Sequence, residues 1–370
     1  MRGPAARPVV IAAGGTGGHV FPAEALASAL VARGQRIVLM TDARSGALES
    51  PVFAGRERFV LRGAGIAGRG AARAAGAIVA LGAGVAQARR ALVRLDPCAV
   101  VAFGGYPSVP PVLASRSLMR RPKVILHEQN AVLGRANRFL SRHADALALS
   151  FANTARVPPD ARAILTGNPV RPSIAAVPPY VAPAEDGALR LLVLGGSLGA
   201  RVLSDVVPAA IAALPQPLRS RLSVVQQCRP EDLARVGASY DEIDVPAQLA
   251  AFFPDIAAHL SRAHLVIARA GASTVAELAA VGRPAILVPL PGAVDDHQSA
   301  NARALAAAGV VTVAQRELNP ERLAAHLSDL LGAPSRLDAV AIAARAIARP
   351  NATQRLADLI DALIAQEARA

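Results

Sequence analysis

Val9-Val10-Ile11-Ala12-Ala13-Gly14-Gly15-Thr16-Gly17-Gly18 lies near the start of the 370-residue chain, and Leu191-Leu192-Val193-Leu194-Gly195-Gly196-Ser197-Leu198-Gly199 repeats its pattern in the second half. Each is a short apolar run, a glycine turn, and then a helical stretch rich in small and apolar residues. A continuous apolar run predicts a strand buried on both faces, as in a parallel sheet. A glycine turn leading from such a strand into a helix is how a doubly wound α/β domain begins. Two such openings predict two Rossmann-like domains, with ligands beyond the carboxyl ends of the strands and a substrate in a cleft between facing domains.

Outward from these openings, further apolar runs alternate with helical stretches. Strands are expected at Val9 to Ala13, Arg36 to Met40, Ala99 to Phe103 and Val124 to His127, then at Leu189 to Leu194, Ser223 to Gln227, Leu265 to Ala268 and Ala285 to Pro289. Between the two series, Pro169, Pro172, Pro178, Pro179 and Pro183 mark residues 169–187 as a linker. The expected domains are therefore 1–168 and 188–349. The last helix, about Ala352 to Ala365, fits either of them.

Composition narrows the class. Hydrophobic residues make up 53% and charged residues 18%, enough apolar surface for large cores and too much for a disordered chain. The longest uncharged run, Pro97 to Ser115, is broken by Gly104, Gly105, Pro107, Pro110 and Pro111, and Ala74 to Ala88 is too short, so no membrane span is predicted. No signal-peptide layout fits the N-terminus, and the expected compartment is the cytosol. Cys98 and Cys228, far apart and without ligand spacing, are expected to be buried apolar residues.

The net charge of +13 is lopsided. Residues 1–170 hold 22 Lys or Arg against 8 Asp or Glu, and the remainder 18 against 19. Such asymmetry points the N-terminal half toward a polyanion. With 3% aromatic residues and no Trp, base-stacking platforms are scarce, which disfavours nucleic acid and leaves an anionic membrane surface. Ile78, Leu81, Val85 and Leu92 recur at helical spacing among Arg69, Arg73, Arg89, Arg90 and Arg94, as a basic amphipathic helix would.

Several polar residues fall at strand ends. The turn Gly14 to Gly18 is a candidate anion site, and His19, at the start of the following helix, is a candidate base, since that dipole end favours the neutral imidazole. Asp42 resembles the ribose-binding acid of a nicotinamide domain, so a dehydrogenase stays open. Against it, Gly104-Gly105-Tyr106-Pro107-Ser108 and His127-Glu128-Gln129-Asn130 end further strands on the same edge. Glu128 could act as acid, base or hydroxyl ligand, and Asn130 could orient a substrate. In the second half, Ala272-Ser273-Thr274-Val275-Ala276-Glu277 has the form of a diphosphate-binding helix start, with Glu277 placed for a ribose diol. Asp295-Asp296-His297-Gln298 and Asn301 are candidates for sugar hydroxyls. No Asp-x-Asp occurs, so diphosphate charge would fall to helix dipoles, Ser197, Arg171 and backbone amides.

Six ordered motifs, G-G-T-G-G-H-V-F-P from Gly14, G-G-Y-P-S from Gly104, H-E-Q-N from His127, T-G-N-P-V-R from Thr166, G-G-S-L-G-A-R from Gly195 and A-S-T-V-A-E from Ala272, closely resemble those of the MurG family of bacterial glycosyltransferases over nearly the whole chain. The resemblance implies a GT-B architecture and inverting transfer of N-acetylglucosamine from UDP-N-acetylglucosamine to the lipid-linked muramoyl-pentapeptide precursor of peptidoglycan, with no metal and no other cofactor. It implies peripheral attachment at the cytoplasmic face of the inner membrane, and packing of a C-terminal helix at about 350–370 back on the first domain. By the same resemblance Thr16, Gly17, Gly18 and Asn130 face the donor sugar. Arg171, Ser197, Ala272, Ser273, Thr274, Val275, Ala276, Glu277 and Gln298 hold the nucleotide diphosphate and ribose, and Phe253 stands where the family contacts uracil through the backbone. The family's His-Gln pair reads Gln226-Gln227 here, and its Asn at the G-G-S helix reads Ser204, so those roles are not carried over. Acceptor deprotonation falls first to His19 and second to Glu128. A different UDP-sugar transferase acting on a lipid, a nicotinamide dehydrogenase and a non-catalytic nucleotide-binding scaffold are the remaining alternatives.

Overall fold

The computed structural model describes residues 7–15, 17–43, 50–62, 71–196 and 199–369. The chain divides into two compact units, 1–171 with 349–370, and 172–348.

Unit 1 is built on a seven-stranded parallel sheet of β1 (Val9–Ala12), β2 (Ile37–Thr41), β3 (Arg58–Val60), β4 (Ala99–Ala102), β5 (Lys123–Glu128), β6 (Ala146–Leu149) and β7 (Ala163–Leu165). The order is β3-β2-β1-β4-β5-β6-β7. The chain starts in the middle, winds one way to β3, then returns past β1 to wind the other way. β1 pairs with β4 in the register Val9↔Ala99 to Ala12↔Ala102. Alternation along β1 sorts the core into two layers. Val10 and Ala12 pack with Ala88 and Leu92 of α2 (Ala71–Leu95) and Val112 of α3 (Val109–Ser115). Val9 and Ile11 pack with Leu26 and Leu30 of α1 (Gly17–Ala32) and with Leu356 and Ile360 of the C-terminal helix Ala352–Arg369. A one-residue register slip would exchange the two sets, which pins the strand. Arg33, just past the end of α1, ties the C-terminal helix down through ion pairs to Asp358 and Asp361, each at 2.7 Å.

Unit 2 carries a six-stranded parallel sheet of β8 (Leu189–Leu194), β9 (Leu222–Gln227), β10 (Ala247–Ala250), β11 (Leu265–Ala268), β12 (Ala285–Leu287) and β13 (Val311–Thr312), in the order β10-β9-β8-β11-β12-β13. Leu189, Leu191 and Val193 of β8 meet Leu203, Val207 and Ile211 of helix Arg201–Ala212 and Leu323 and Leu327 of helix Pro320–Leu331. The fully buried Arg283 donates to the carbonyls of Leu260, Val281, Pro178 and Ser261, and Tyr180 donates to the His264 carbonyl. These bonds fasten the proline-rich stretch around Pro178 to unit 2.

Cys98 and Cys228 are both buried free thiols. The basic helix needs a correction. The face drawn through Ile78, Leu81, Val85 and Leu92 is divided: Leu92 is fully buried, Leu81 and Val85 pack on the same core, and Ile78 turns outward beside Val79. Gly76–Leu95 has the length and apolar composition of a membrane-crossing helix. Its packing makes it a layer of unit 1, because Ala88 and Leu92 are committed to the sheet. Arg94 is engaged too, paired with Glu57 at 2.6 Å and lying over Phe59. Arg69 and the Arg73 side chain lie outside the described residues.

Candidate active site

In a doubly wound sheet the loops diverge where the winding reverses, leaving a crevice at the carboxyl ends of the two central strands. In unit 1 those strands are β1 and β4, whose exits are the turns at Gly14 and Gly104. The turns are close-packed. A Cβ at Gly14 would lie 2.9 Å from Pro107 Cγ, 3.0 Å from Thr41 Oγ1 and 3.1 Å from Asp42 Oδ1. Asp42 is thereby buried against the glycine turn. Thr16 lies outside the described residues, while Gly17 and Gly18 form the first turn of α1.

His19 follows on α1, and its ring rests on the second glycine turn: a Cβ at Gly105 would sit 3.5 Å from Nε2 and one at Gly104 3.5 Å from Cε1. Nδ1 of His19 is 2.9 Å from Oε1 of Gln129. Gln129, which sequence reasoning gave no role, is buried at the exit of β5 and reaches back with Nε2 to Nδ1 of His127 at 3.0 Å. His127 is fully buried, with Nε2 3.1 Å from the Gly167 carbonyl. Burial pushes its imidazole down to about 4, against the Gly167 carbonyl, which favours the protonated ring, and with a smaller push from His19. The signal in the sequence was spacing: His127 and Gln129 are two apart, so they leave an extended chain on the same side.

Glu128 points to the other side and is also buried. Oε1 accepts from the Asn130 N–H and side-chain amide, and Oε2 accepts from the Gly134 N–H and the Asn137 amide. The carboxylate organises the loop that carries Asn130. Arg171, the last residue of unit 1 before the chain passes to unit 2, stacks its guanidinium 4.2 Å from the centre of the Phe21 ring on α1. Nearby Glu24 has its pKa raised by burial, with Ser50 and Arg171 opposing.

Unit 2 repeats the plan at β8 and β11. A Cβ at Gly195 would come within 2.5 Å of the Ala200 nitrogen, so only glycine lets the turn fold this tightly. Gln227, at the end of β9, accepts from the Gly195 N–H and donates to the Ala251 carbonyl, bracing the turn from beside. Ser197 lies outside the described residues. β11 leads through Arg269 and Gly271 into helix Ala272–Val281, whose N-cap is the side-chain-free Gly271. Its first-turn N–H groups point past the helix end, a ready anion site. Ala272 and Val275 are buried, while Ser273, Thr274, Ala276 and Glu277 are partly exposed, with Ser273 and Glu277 four apart on one face. Arg269 itself faces inward, donating to the Val288 and Pro289 carbonyls and to Gln315.

The remaining candidates separate. Gln298 accepts from the Leu290 N–H at 2.9 Å, joining the exit of β12 to helix His297–Ala306. Asn301, a candidate for sugar hydroxyls, is instead fully buried and donates to the Ala270 carbonyl. Phe253 is buried with its ring edge-on to His259 at 4.7 Å, whereas its neighbour Phe252 is exposed. Among the described residues no three His, Cys, Asp or Glu side chains gather as a metal-binding group.

Comparison with known proteins accords with this geometry. The glycosyltransferase family 28 N-terminal domain matches residues 9–149, and the glycosyltransferase family 28 C-terminal domain matches residues 190–362. A relative from Granulibacter bethesdensis is 58% identical over 97% of this chain and 94% of its own length. One from Acidiphilium cryptum is 52% identical over the full length of both. Both are named as the UDP-N-acetylglucosamine–N-acetylmuramyl-(pentapeptide) pyrophosphoryl-undecaprenol N-acetylglucosamine transferase. Among solved structures, Acinetobacter baumannii MurG superposes with a TM-score of 0.76 at 33% identity, covering 95% of this chain and 98% of that one. With two parallel-sheet Rossmann-like units, each matched by its own domain of the family, the chain belongs to glycosyltransferase family 28 and has the GT-B architecture.

Proposed function

We propose that the chain catalyses inverting transfer of N-acetylglucosamine from UDP-N-acetylglucosamine to the lipid-linked muramoyl-pentapeptide diphospho-undecaprenol acceptor, the lipid I to lipid II step of peptidoglycan synthesis. Unit 2 holds the donor: the start of helix Ala272–Val281 and the Gly195 turn receive the diphosphate, Glu277 takes the ribose, Gln298 supports the phosphate side, and the backbone at Phe253 reads uracil. Unit 1 supplies Thr16, Gly17, Gly18 and Asn130 toward the sugar, and Arg171 adds positive charge for the diphosphate. The acceptor hydroxyl attacks the anomeric carbon, its proton passes to His19, and the carbon–oxygen bond to UDP breaks with the electron pair leaving on the diphosphate. Glu128, with both oxygens accepting hydrogen bonds from its own loop, positions Asn130.

The same reading places the enzyme peripherally at the cytoplasmic face of the inner membrane, where its acceptor is anchored. The excess positive charge of residues 1–170 supports an anionic surface as partner. The observation that carries the function is full-length identity above 50% to the named transferases, with His19 seated at the winding reversal of unit 1. The test is transfer of labelled N-acetylglucosamine to the lipid-linked acceptor. Parent protein should turn over, and His19→Ala should lose about 10²- to 10⁴-fold in kcat, the usual loss for a general base. Near-parent turnover by His19→Ala at saturating substrates would remove the base assignment, and absence of transfer by the parent would remove the function.

A further inference from the structure

We infer that Gln129 is a positioning residue that fixes the tautomer of His19, holding its proton on Nδ1 so that Nε2 is the atom that accepts the acceptor's proton. The inference rests on the reading of His19 as base and names the device that prepares it.

The argument begins at an atom that has no choice. The main-chain carbonyl of His127 can only accept, and it lies 3.1 Å from one terminal atom of the Gln129 amide, which must therefore be the nitrogen. The amide orientation follows from that contact. The same nitrogen meets His127 Nδ1 at 3.0 Å, so Nδ1 is the unprotonated atom of that ring and Nε2 carries the hydrogen, which it donates to the Gly167 carbonyl. The other end of the amide is then the oxygen. It cannot donate, and it stands 2.9 Å from His19 Nδ1, so that atom carries the hydrogen. Neutral imidazole has one proton to place, and Nε2 of His19 is left with its lone pair.

Three motifs meet in this chain of bonds. His19 closes the first glycine turn, His127 and Gln129 come from H-E-Q-N, and Gly167 comes from T-G-N-P-V-R, to which the transfer chemistry assigned only Arg171. His127 and Gln129 are buried, and Phe103 lies against the His127 ring with 5.2 Å between centroids, so the hydrogen-bonding groups are shielded from water that could scramble them. Burial keeps His127 neutral at pH 7, so a proton gained by His19 stays there and its Nδ1–H bond to Gln129 becomes charge-assisted. The amide cannot relay a proton onward: the arrangement is a tautomer lock.

Histidine-labelled protein, read by two-bond ¹H–¹⁵N correlation at neutral pH, tests this directly. His19 should show a protonated Nδ1 with an unprotonated Nε2, and His127 the reverse. Gln129→Met, close in shape but with only a weakly accepting thioether in place of the amide oxygen, should shift His19 toward the Nε2-protonated form. It should also lower kcat, by no more than the roughly 10²- to 10⁴-fold that loss of the base itself costs, while UDP affinity stays at the parent value. A His19 signal protonated on Nε2 in the parent overturns the inference, and so does parent kcat in Gln129→Met where His19→Ala is crippled. Parent-level turnover by His19→Ala removes the base reading instead, so the two failures are distinct. Should Gln129→Met not fold, the parent spectrum alone decides.

Discussion

Oε1 of Glu128 takes two hydrogen bonds from a single residue, the main-chain N–H and the side-chain amide of Asn130, each at 3.0 Å. With Gly134 and Asn137 on Oε2 at 2.9 Å, the buried carboxylate receives four donors. Replacing one oxygen by NH₂ in Glu128→Gln sets donor against donor inside the fold, at a cost of ~1 to 3 kcal/mol. We expect lower resistance of unit 1 to denaturant together with a fall in kcat as Asn130 loses its anchor. Unchanged stability with a loss of rate as large as that of His19→Ala would instead make Glu128 the base.

Glu277→Ala should weaken UDP binding more than it weakens the fold. The residue is partly exposed on the face of its helix that carries Ser273. A charged hydrogen bond lost there costs ~1.5 to 3 kcal/mol, or roughly 10- to 150-fold in affinity. Calorimetric titration with UDP reads this, and parent affinity would take Glu277 out of the site.

Gly195→Ala is expected to damage both binding and stability. The added carbon would press on the Ala200 nitrogen at 2.5 Å and the Gly199 carbonyl carbon at 2.8 Å, both main-chain atoms that yield only if the turn opens. Overpacking of this kind costs ~1 to 3 kcal/mol. A variant that binds UDP and melts like the parent would show that the turn has slack and that its tight form does not hold the diphosphate.

The sequence made all but one of the inner strands legible and the outer ones not. All eight expected strands are present within one or two residues at each end, because each carries a run of apolar residues, continuous and buried in β1, β4 and β11, and interrupted by polar residues in β8 and β9. Of the five that escaped notice, β3, β7, β10 and β13 are sheet edges, where one neighbour and partial exposure leave short mixed runs such as Arg58-Phe59-Val60 or Ala247-Gln248-Leu249-Ala250. The fifth, Ala146-Leu147-Ala148-Leu149, is made of good helix formers and is a strand only because β5 and β7 flank it. Periodicity found α2 but misjudged its face, since spacing alone cannot say whether an apolar stripe turns inward or outward. The glycine turns and His19 could be read from their places at strand ends. The two-residue spacing of Gln129 from His127 put those two on one side of the chain, but the role of Gln129 could not be read, because it lies in a contact with His19, 110 positions away, that only the folded sheet makes.

Two buried imidazoles give the protein an acid-sensitive fold. His127 in unit 1 and His264 in unit 2 are both pushed by burial to about 4 from an ordinary 6.5. The unfolded chain binds protons in that window that the folded chain refuses. Stability is therefore full above about pH 6.5, declines as pH falls, and levels off below about 4, with a slope of up to ~1.4 kcal/mol per pH unit for each group. His264 Nδ1 accepts from the Arg190 N–H at 3.1 Å, a bond that His264→Asn can retain through its side-chain oxygen. Denaturant melts at pH 7 and pH 5 should show a smaller loss for that variant. Equal losses in the variant and the parent would clear His264 of the effect.

The outward end of α2 offers the most direct test of membrane contact. Ile78 and Val79 are 67% and 72% exposed, side by side on unit 1, and Arg89 and Arg90 follow on the same helix, both exposed. The rest of the apolar stripe is committed to the core, so these two side chains, with Val93 (58% exposed) at the far end, are what the helix can bury in a lipid interface. Burying an exposed aliphatic side chain is worth ~1.5 to 3 kcal/mol, and an arginine near an anionic leaflet adds ~1 kcal/mol. The two contributions respond to different variables. Vesicle sedimentation should rise with anionic lipid and fall with salt if the arginines act, since salt screens exposed charge. The apolar share should survive the salt and disappear in Ile78→Ser with Val79→Ser, a pair too exposed to cost much stability. Arg89→Gln with Arg90→Gln should flatten the salt dependence and leave the residual binding. If all four substitutions together sediment like the parent, α2 is not the contact, and the positive charge of unit 1 meets the membrane through another face.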